Sequence, residues 1–154
     1  MKSVLRHFGR RAWPAINAAL ALSLVCLSFE AVSQPAETSV LKGVYSEEQS
    51  KRGEEAYKHV CIRCHKADLM GGLLEPALVG PEFFHKWGGS TVGALFDSIH
   101  EDMPKNHDKG TLQPQLIADV IAYLFKQNGF PSGPAELPTD LTVLKTIRIE
   151  QPSH

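Results

Sequence analysis

Cysteine is scarce in this sequence, and its scarcity excludes several kinds of protein at once. The 154 residues contain only three cysteines, so neither a scaffold with many disulfides nor a four-cysteine zinc site can form. Cys26 lies in an apolar N-terminal run, which leaves Cys61 and Cys64 for the rest of the chain. That pair could form one disulfide or serve a cofactor, and its surroundings have to decide.

The sequence also lacks an excess of positive charge and a hydrophobic run of membrane-spanning length. It has 16 basic and 17 acidic residues, so its charge gives no indication of a nucleic-acid partner. The longest apolar run, "AINAALALSLVCLSF", has about 15 residues, whereas a transmembrane helix needs roughly 20. A hydrophobic content of 43% and a charged content of 21% are those of one globular domain.

Residues 1–33 are predicted to be a secretory signal peptide, cleaved after Ser33. Four basic residues and no acid precede the apolar run, which closes on a small-x-small pattern in "EAVSQ". Cleavage would remove four of the 16 basic and one of the 17 acidic residues, leaving 12 against 16 and a net charge of −4. We therefore expect an exported, periplasmic protein. The alternative is an uncleaved N-terminal anchor, although a segment of spanning length would enclose Glu30.

The stretch "HVCIRCHK" admits three interpretations: a redox dithiol, part of a zinc site, or an attachment point for haem. A thioredoxin-like dithiol lies near a strand–helix unit. No strand pattern of any length is present here, and the pair follows a helix that opens with Ser46 and Gln49 in capping-box spacing. Structural zinc needs four ligands, and Cys61, Cys64 and His65 supply three. Haem attachment uses all three residues: the thiols bond the two vinyl groups, and the imidazole lies beneath the iron.

Four segments of the chain resemble those of a monohaem class I c-type cytochrome, in the same order. They are "RGEEAYKHVCIRCH", "EPALVG", "TVGALFDSIHEDMP" and "DVIAYLFKQNGF", within residues 46–130. The resemblance implies an all-α fold in which the N- and C-terminal helices cross, with short helices and loops wrapped round one covalent haem c. It also implies that Gly53 allows the close approach of the helices, while Tyr57 meets Val120 and Tyr123.

The same segments predict how the chain is organised. A flexible lead over residues 34–45 is expected to follow the signal peptide, and residues 46–130 form the haem domain. The last helix of that domain, "QPQLIADVIAYLFKQNG", is predicted to be amphipathic, with Pro114 near its start and Gly129 just past its end. Residues 131–154 then form a C-terminal extension, which is predicted to pack on the domain; the alternative is that it docks on a partner.

The resemblance and the available chain length both indicate Met103 as the iron ligand opposite His65. Met70 is only five residues from His65, a reach of at most about 18 Å, and the chain would have to pass round the porphyrin edge. Met103 has ample chain and stands in a Met-Pro step, where the family carries its ligand. A thioether favours ferrous iron, so this ligation would raise the reduction potential. In the alternative, Met103 packs in the core and one of three histidines binds: His85, His100 or His107.

Five further residues are candidate contacts of the haem. Pro76 matches the family proline whose carbonyl accepts the N–H of the proximal imidazole, although it could be a turn proline. Leu78, Leu95 and Ile99 are candidate wall residues, or ordinary core residues. Trp87 would either reach a haem propionate through its indole N–H or fill the core.

These features predict a single-electron carrier rather than an enzyme. The expected partners are redox proteins: a donor dehydrogenase, such as a quinoprotein, and an oxidase or cytochrome as acceptor. A membrane would be involved only if the N-terminal segment is retained. Five basic residues flank the expected haem edge, as a docking patch for an acidic partner or as scattered solvated charges: Lys58, Arg63, Lys66, Lys105 and Lys109. If Met103 is labile, an open iron site would instead indicate a gas sensor or a peroxide-reactive enzyme.

Overall fold

The computed structural model describes residues 37–105 and 108–152, and the predicted signal peptide lies outside these ranges. Within these ranges, six α-helices carry the fold: α1 (Glu47–Val60), α2 (Ile62–His65), α3 (Gly80–Trp87), α4 (Val92–Asp102), α5 (Pro114–Gln127) and α6 (Leu141–Leu144). The other elements are a 3-10 helix (Val40–Lys42) and two short strands, β1 (Thr38–Ser39) and β2 (Ile147–Arg148). The predicted all-α class is confirmed, although the strands had no signature in the sequence. None of the helices within the described ranges has the length and apolar character needed to cross a bilayer.

Helix α1 begins where the sequence predicts, but its capping differs from the predicted box. The Ser46 hydroxyl accepts the Gln49 backbone N–H at 3.0 Å, which satisfies one of the free donors of the first turn. The Gln49 side chain does not return to Ser46. Its amide instead pairs with both backbone groups of Leu137, donating at 3.0 Å and accepting at 2.7 Å. The residue that fits a capping box therefore anchors the C-terminal extension.

The crossing of α1 and α5 is confirmed, and it depends on a glycine. A Cβ atom on Gly53 would lie 1.8 Å from the backbone oxygen of Asp119, so only glycine allows this separation of the two backbones. One turn further along α1, the rings of Tyr57 and Tyr123 lie 5.4 Å apart. Val120 belongs to the same buried cluster. Close backbone contact and aromatic packing together fix where the helices cross.

Helix α5 is the centre of the core and is buried on more sides than the amphipathic pattern of its sequence predicts. Pro114 occupies its first turn, and Gly129 follows its end with φ 80°. Every residue from 117 to 125 is buried, as expected of a helix covered on all sides. The one acid in this stretch, Asp119, is bound by Arg52 of α1 at 3.1 Å and by Gln115 at 2.8 Å.

The segments before α1 and after α5 cover the outer side of α5. In place of the flexible lead predicted for residues 34–45, residues 38–45 pack against the domain, with Val40 and Tyr45 almost fully buried. Strand β1 pairs with β2 in parallel, 109 positions apart along the chain. The extension adds four buried apolar side chains to the same core: Leu137, Leu144, Ile147 and Ile149.

Candidate functional site

A cavity lies between the C-terminal end of α1, helices α2 and α3 with the loop that joins them, and one face each of α4 and α5. The cavity and its open mouth together enclose about 1050 Å³, a space that includes open solvent. All nine site residues named from the sequence line it: Cys61, Cys64, His65, Pro76, Leu78, Trp87, Leu95, Ile99 and Met103. The fold thus brings together residues that are spread over more than 40 positions of the chain.

The two cysteines lie on one helical turn beside the cavity. Cys61 ends α1, and its carbonyl accepts the N–H groups of Cys64 at 3.1 Å and His65 at 3.0 Å. Both thiols are free, with Cys61 partly buried and Cys64 exposed. Burial, with a smaller contribution from Cys64, raises the pKa of the Cys61 thiol to about 11. Because a redox dithiol needs a lowered thiol pKa, this environment disfavours the dithiol interpretation.

His65 is buried at the end of this turn, with one ring nitrogen already engaged. Its Nδ1 lies 3.1 Å from the Pro76 carbonyl oxygen, which accepts the proton of the neutral ring and leaves Nε2 with a free lone pair. Burial lowers the pKa of the imidazole below its usual value, although the Pro76 bond and Glu75 oppose this. A neutral, oriented imidazole is the form that binds a metal ion.

Met103 lines the cavity at the end of α4, and the competing ligands lie elsewhere. Its N–H donates to the Ile99 carbonyl at 3.1 Å, so it caps the helix. Met70 is 58% exposed and lines a separate groove, together with His85. The His100 ring stacks on Phe96 and does not line the cavity, and His107 lies outside the described residues. Among the described candidates, Met103 is therefore the one that lines the same cavity as His65.

Residues 48–124 match the family model described as cytochrome c oxidase, cbb3-type, subunit III. The chain belongs to this family of c-type cytochrome domains. No curated protein matches the chain significantly. The match covers the two cysteines, His65, Met103 and most of α5, and a c-type cytochrome domain binds haem and transfers electrons.

The lining of the cavity fits the haem of a c-type cytochrome. Two free thiols stand next to a neutral imidazole, and a thioether lines the same space. The thiols could bond the haem vinyl groups, and an imidazole and a thioether are ligands that haem iron accepts. Most of the remaining lining is apolar: Val60, Ala77, Leu78, Phe83, Leu95, Ile99, Leu112, Leu116, Val120 and Leu124. Within residues 37–105 and 108–152, no three His, Cys, Asp or Glu side chains form a metal cluster, and the zinc interpretation has no support there.

Trp87 lines the cytochrome's cavity, as does its neighbour Lys86. The Lys86 ammonium lies 4.8 Å from the centre of the Trp87 ring, within cation–π range. Lys105 also lines the cavity, and Glu75 is the one acid among the lining residues described. The contact of the indole N–H with a propionate stays a prediction, and the lysines are further groups that could bind such a carboxylate.

Three residues that sequence reasoning did not assign to the site hold the backbone around the cytochrome's His65. The Tyr57 hydroxyl donates to the Lys66 carbonyl at 2.7 Å. Gly71 donates its N–H to the His65 carbonyl at 3.1 Å, and a Cβ on it would lie 2.7 Å from the Pro76 carbonyl oxygen. The side chain of Asn128, beyond α5, bonds to the segment that follows Pro76. The paired glycines in "MGGLL" were a sequence signal for Gly71, whereas the other two contacts had none.

Proposed function

We propose that this protein is a periplasmic carrier of single electrons with one haem c, attached through Cys61 and Cys64 and ligated by His65 and Met103. The observation that carries the proposal is the cavity in which these four side chains meet. When bound, haem c supplies a reversible one-electron couple. The family match supports electron transfer, and the ligand pair and covalent attachment rest on the geometry of the cavity.

The protein's own residues have three tasks in this function. The Pro76 carbonyl keeps the His65 proton on Nδ1 and so presents Nε2 in one orientation. Met103 offers a soft thioether, which favours the reduced iron and raises the potential. The apolar wall excludes water, which keeps the polar environment nearly unchanged when the charge of the iron changes.

The proposed partners are redox proteins of the same compartment. The predicted signal peptide at residues 1–33 supports export. The sequence has no excess of basic residues, so its charge gives no indication of a nucleic-acid partner. We propose a dehydrogenase, such as a quinoprotein, as donor, and a terminal oxidase or another cytochrome as acceptor. The description of the family model names an oxidase subunit, which supports the oxidase among these acceptors.

The docking surface that we propose for this carrier differs from the basic patch expected from the sequence. Lys58 forms ion pairs with Glu54 at 2.8 Å and Glu55 at 3.0 Å, and Lys109 pairs with Asp102 at 3.3 Å. Their charges are therefore compensated locally.

Four other basic residues make no ion pair with any residue in the ranges 37–105 and 108–152: Arg63, Lys66, Lys86 and Lys105. Lys86 and Lys105 line the cavity, while Arg63 and Lys66 flank His65 in the sequence. The exposed side chains of Leu73 and Leu74 lie on the loop between α2 and α3, in the neighbouring groove that shares Lys86. We propose this mouth surface, defined by the four basic residues and the two leucines, as the docking site for redox partners.

The ligand assignment is tested by replacing each of the two methionines outside the predicted signal peptide. In the holoprotein, Met103→Ala is expected to open one side of the iron, lower the reduction potential and allow carbon monoxide to bind the reduced form, because a soft ligand is lost. Met70→Ala is the matched control, because its side chain is mostly exposed and outside the cavity. Visible spectra with and without carbon monoxide measure both. Unchanged spectra in Met103→Ala, or changed spectra in Met70→Ala, would overturn the assignment.

A further inference from the structure

Asn128 joins the end of α5 to one short stretch beside the cavity, residues 76–80, which we name the proximal segment. Its Nδ2 donates to the Leu78 carbonyl at 3.0 Å and to the Leu124 carbonyl at 2.8 Å. Its Oδ1 accepts the Gly80 N–H at 3.0 Å. Both amide protons and the carbonyl oxygen are therefore used, and two of the three bonds reach residues about 50 positions away.

The proximal segment carries the group that orients His65. The Pro76 carbonyl oxygen lies 3.1 Å from Nδ1 of the ring, and Leu78, two residues further on, lines the cavity. Planar peptides leave few free torsions between residues 76 and 78. Fixing the Leu78 carbonyl therefore restricts where the Pro76 carbonyl can lie.

Only a few other hydrogen bonds hold this segment. The Leu78 N–H donates to the Leu69 carbonyl at 2.8 Å, and the Ala77 N–H donates to the Glu82 carboxylate at 3.1 Å. Both partners lie in the loop between α2 and α3 or in α3 itself. Asn128 supplies the side-chain hydrogen bonds that join the segment to the end of α5, in addition to the apolar packing of Leu78 and Val79 on that helix.

We propose that Asn128 is a positioning residue for His65, acting through the proximal segment on the Nδ1 hydrogen bond. The inference rests on His65 as the iron ligand of the proposed function. A carbonyl that accepts the Nδ1 proton makes the imidazole a more basic ligand, and a more basic ligand stabilises the more highly charged ferric iron. When the segment is loosened, the bond weakens and the reduction potential rises.

The test compares two alanine variants of the full-length holoprotein. Asn128→Ala removes the three bonds to Leu78, Leu124 and Gly80. Gln49→Ala is the matched control, since the Gln49 amide also bridges two backbone groups, those of Leu137, away from the cavity. Three quantities are measured for each variant: the melting temperature, the midpoint potential, and the exchange rate of the His65 Nδ1 proton by NMR in the reduced state.

Both variants are expected to melt at lower temperature, and only Asn128→Ala is expected to raise the midpoint potential. In Asn128→Ala, the His65 Nδ1 proton should exchange about tenfold faster than in the unmodified protein, because weakening one hydrogen bond permits a change of that size. Equal potentials and exchange rates in the two variants would overturn the proposal and leave Asn128 a structural cap of α5. Should Asn128→Ala fail to fold, Asn128→Ser takes its place, because a hydroxyl can still cap the helix without reaching Leu78.

The outcome separates this inference from the proposed function. If the unmodified protein lacks the spectrum of a ligated haem c, the proposed function is wrong. If that spectrum is present and Asn128→Ala leaves the potential unchanged, the positioning role is wrong and the ligand assignment stands.

Discussion

At the level of single residues, the backbone that follows His65 adopts a conformation that suits glycine better than lysine. Lys66 has φ 62° and ψ 169°, a region in which a Cβ atom is strained. The Tyr57 hydroxyl holds its carbonyl at 2.7 Å, and Tyr57 is itself buried against α5. The packed core therefore maintains a strained peptide directly beside the proposed iron ligand.

Removing the strain at Lys66 is expected to stabilise the protein. Lys66→Gly should raise the free energy of unfolding by about 1 kcal/mol, since relief of roughly 1–3 kcal/mol of strain exceeds the roughly 0.5–1 kcal/mol of added backbone entropy. Lys66→Ala is the control, because it removes the same charge and keeps the Cβ atom. Denaturant unfolding of the holoproteins measures both. Equal free energies of unfolding of the glycine and alanine variants would show that the Cβ atom does not strain the backbone at residue 66.

Single residues differ in how far the sequence predicted their place. Cys61, Cys64 and His65 share one turn, so their spacing in the sequence was enough to place them together. Met103 followed from chain length and from resemblance, and it lines the same cavity as His65. Asn128 could not be placed in this way, because its bonds to Leu78 and Gly80 cross about 50 positions. An asparagine after a helix is also an ordinary C-terminal cap.

At the level of elements, the lead before α1 and the extension after α5 are joined to each other and to the core. The Tyr45 hydroxyl donates to the Phe130 carbonyl at 2.8 Å, and the Gly133 N–H donates to the Tyr45 carbonyl at 2.7 Å. Arg52 of α1 bridges Asp119 of α5 and Glu136 of the extension. Both added segments are thus part of the folded domain.

Tyr45 gives this junction a pH dependence. Burial, with a smaller effect of Glu47, raises the pKa of Tyr45 to about 12, from 10 in a free side chain. The folded protein therefore holds the phenol proton more tightly than the unfolded chain. The contribution of this proton to the free energy of unfolding is fully present below pH 10. It is lost as the pH rises to about 12, by about 1.4 kcal/mol per pH unit.

Tyr45→Phe tests this junction. The variant is expected to lose about 1 kcal/mol of stability at neutral pH, because the Phe130 carbonyl loses its donor. Its stability should also fall less steeply between pH 10 and 12. Urea unfolding of the holoprotein at several pH values measures both effects. A decline as steep as that of the unmodified protein would show that Tyr45 is not the titrating group.

The elements that the sequence predicted best are those whose signals are local. Ser46 marks the start of α1, and Pro114 and Gly129 bracket α5. The pairing of β1 with β2 had no such signal, because each strand has two residues and the partners are 109 positions apart. The burial of α5 on all sides depends on these same covering segments, so its sequence alone indicated only one buried face.

At the level of the whole molecule, the mouth surface carries charge opposite to the net charge of the chain without its predicted signal peptide. The chain without residues 1–33 has 12 basic and 16 acidic residues. Arg63, Lys66, Lys86 and Lys105 form the basic part of the mouth surface, and Glu75 is the described acid that lines the cavity. An anion should therefore be attracted if the local charge of the mouth surface governs its approach, and repelled if the net charge governs it.

Electron exchange with small inorganic complexes distinguishes local from net charge. Oxidation by an anionic complex such as ferricyanide is expected to be faster at low than at high salt, because screening weakens the attraction to the mouth surface. Lys105→Gln should slow this reaction more than Lys42→Gln, which changes the net charge equally at an exposed position that does not line the cavity. Stopped-flow rates that depend equally on the two lysines would show that net charge alone governs the approach.

We propose that the cavity holds a six-coordinate haem c between His65 and Met103. The most direct test of this proposal is the visible spectrum of the holoprotein, produced with a c-type maturation system and recorded oxidised, reduced, and reduced with carbon monoxide. We expect haem that stays bound on denaturation, the weak red absorption of a methionine–iron bond in the oxidised form, and no response to carbon monoxide. Haem that is released on denaturation, or a reduced spectrum that carbon monoxide shifts readily at neutral pH, would contradict it.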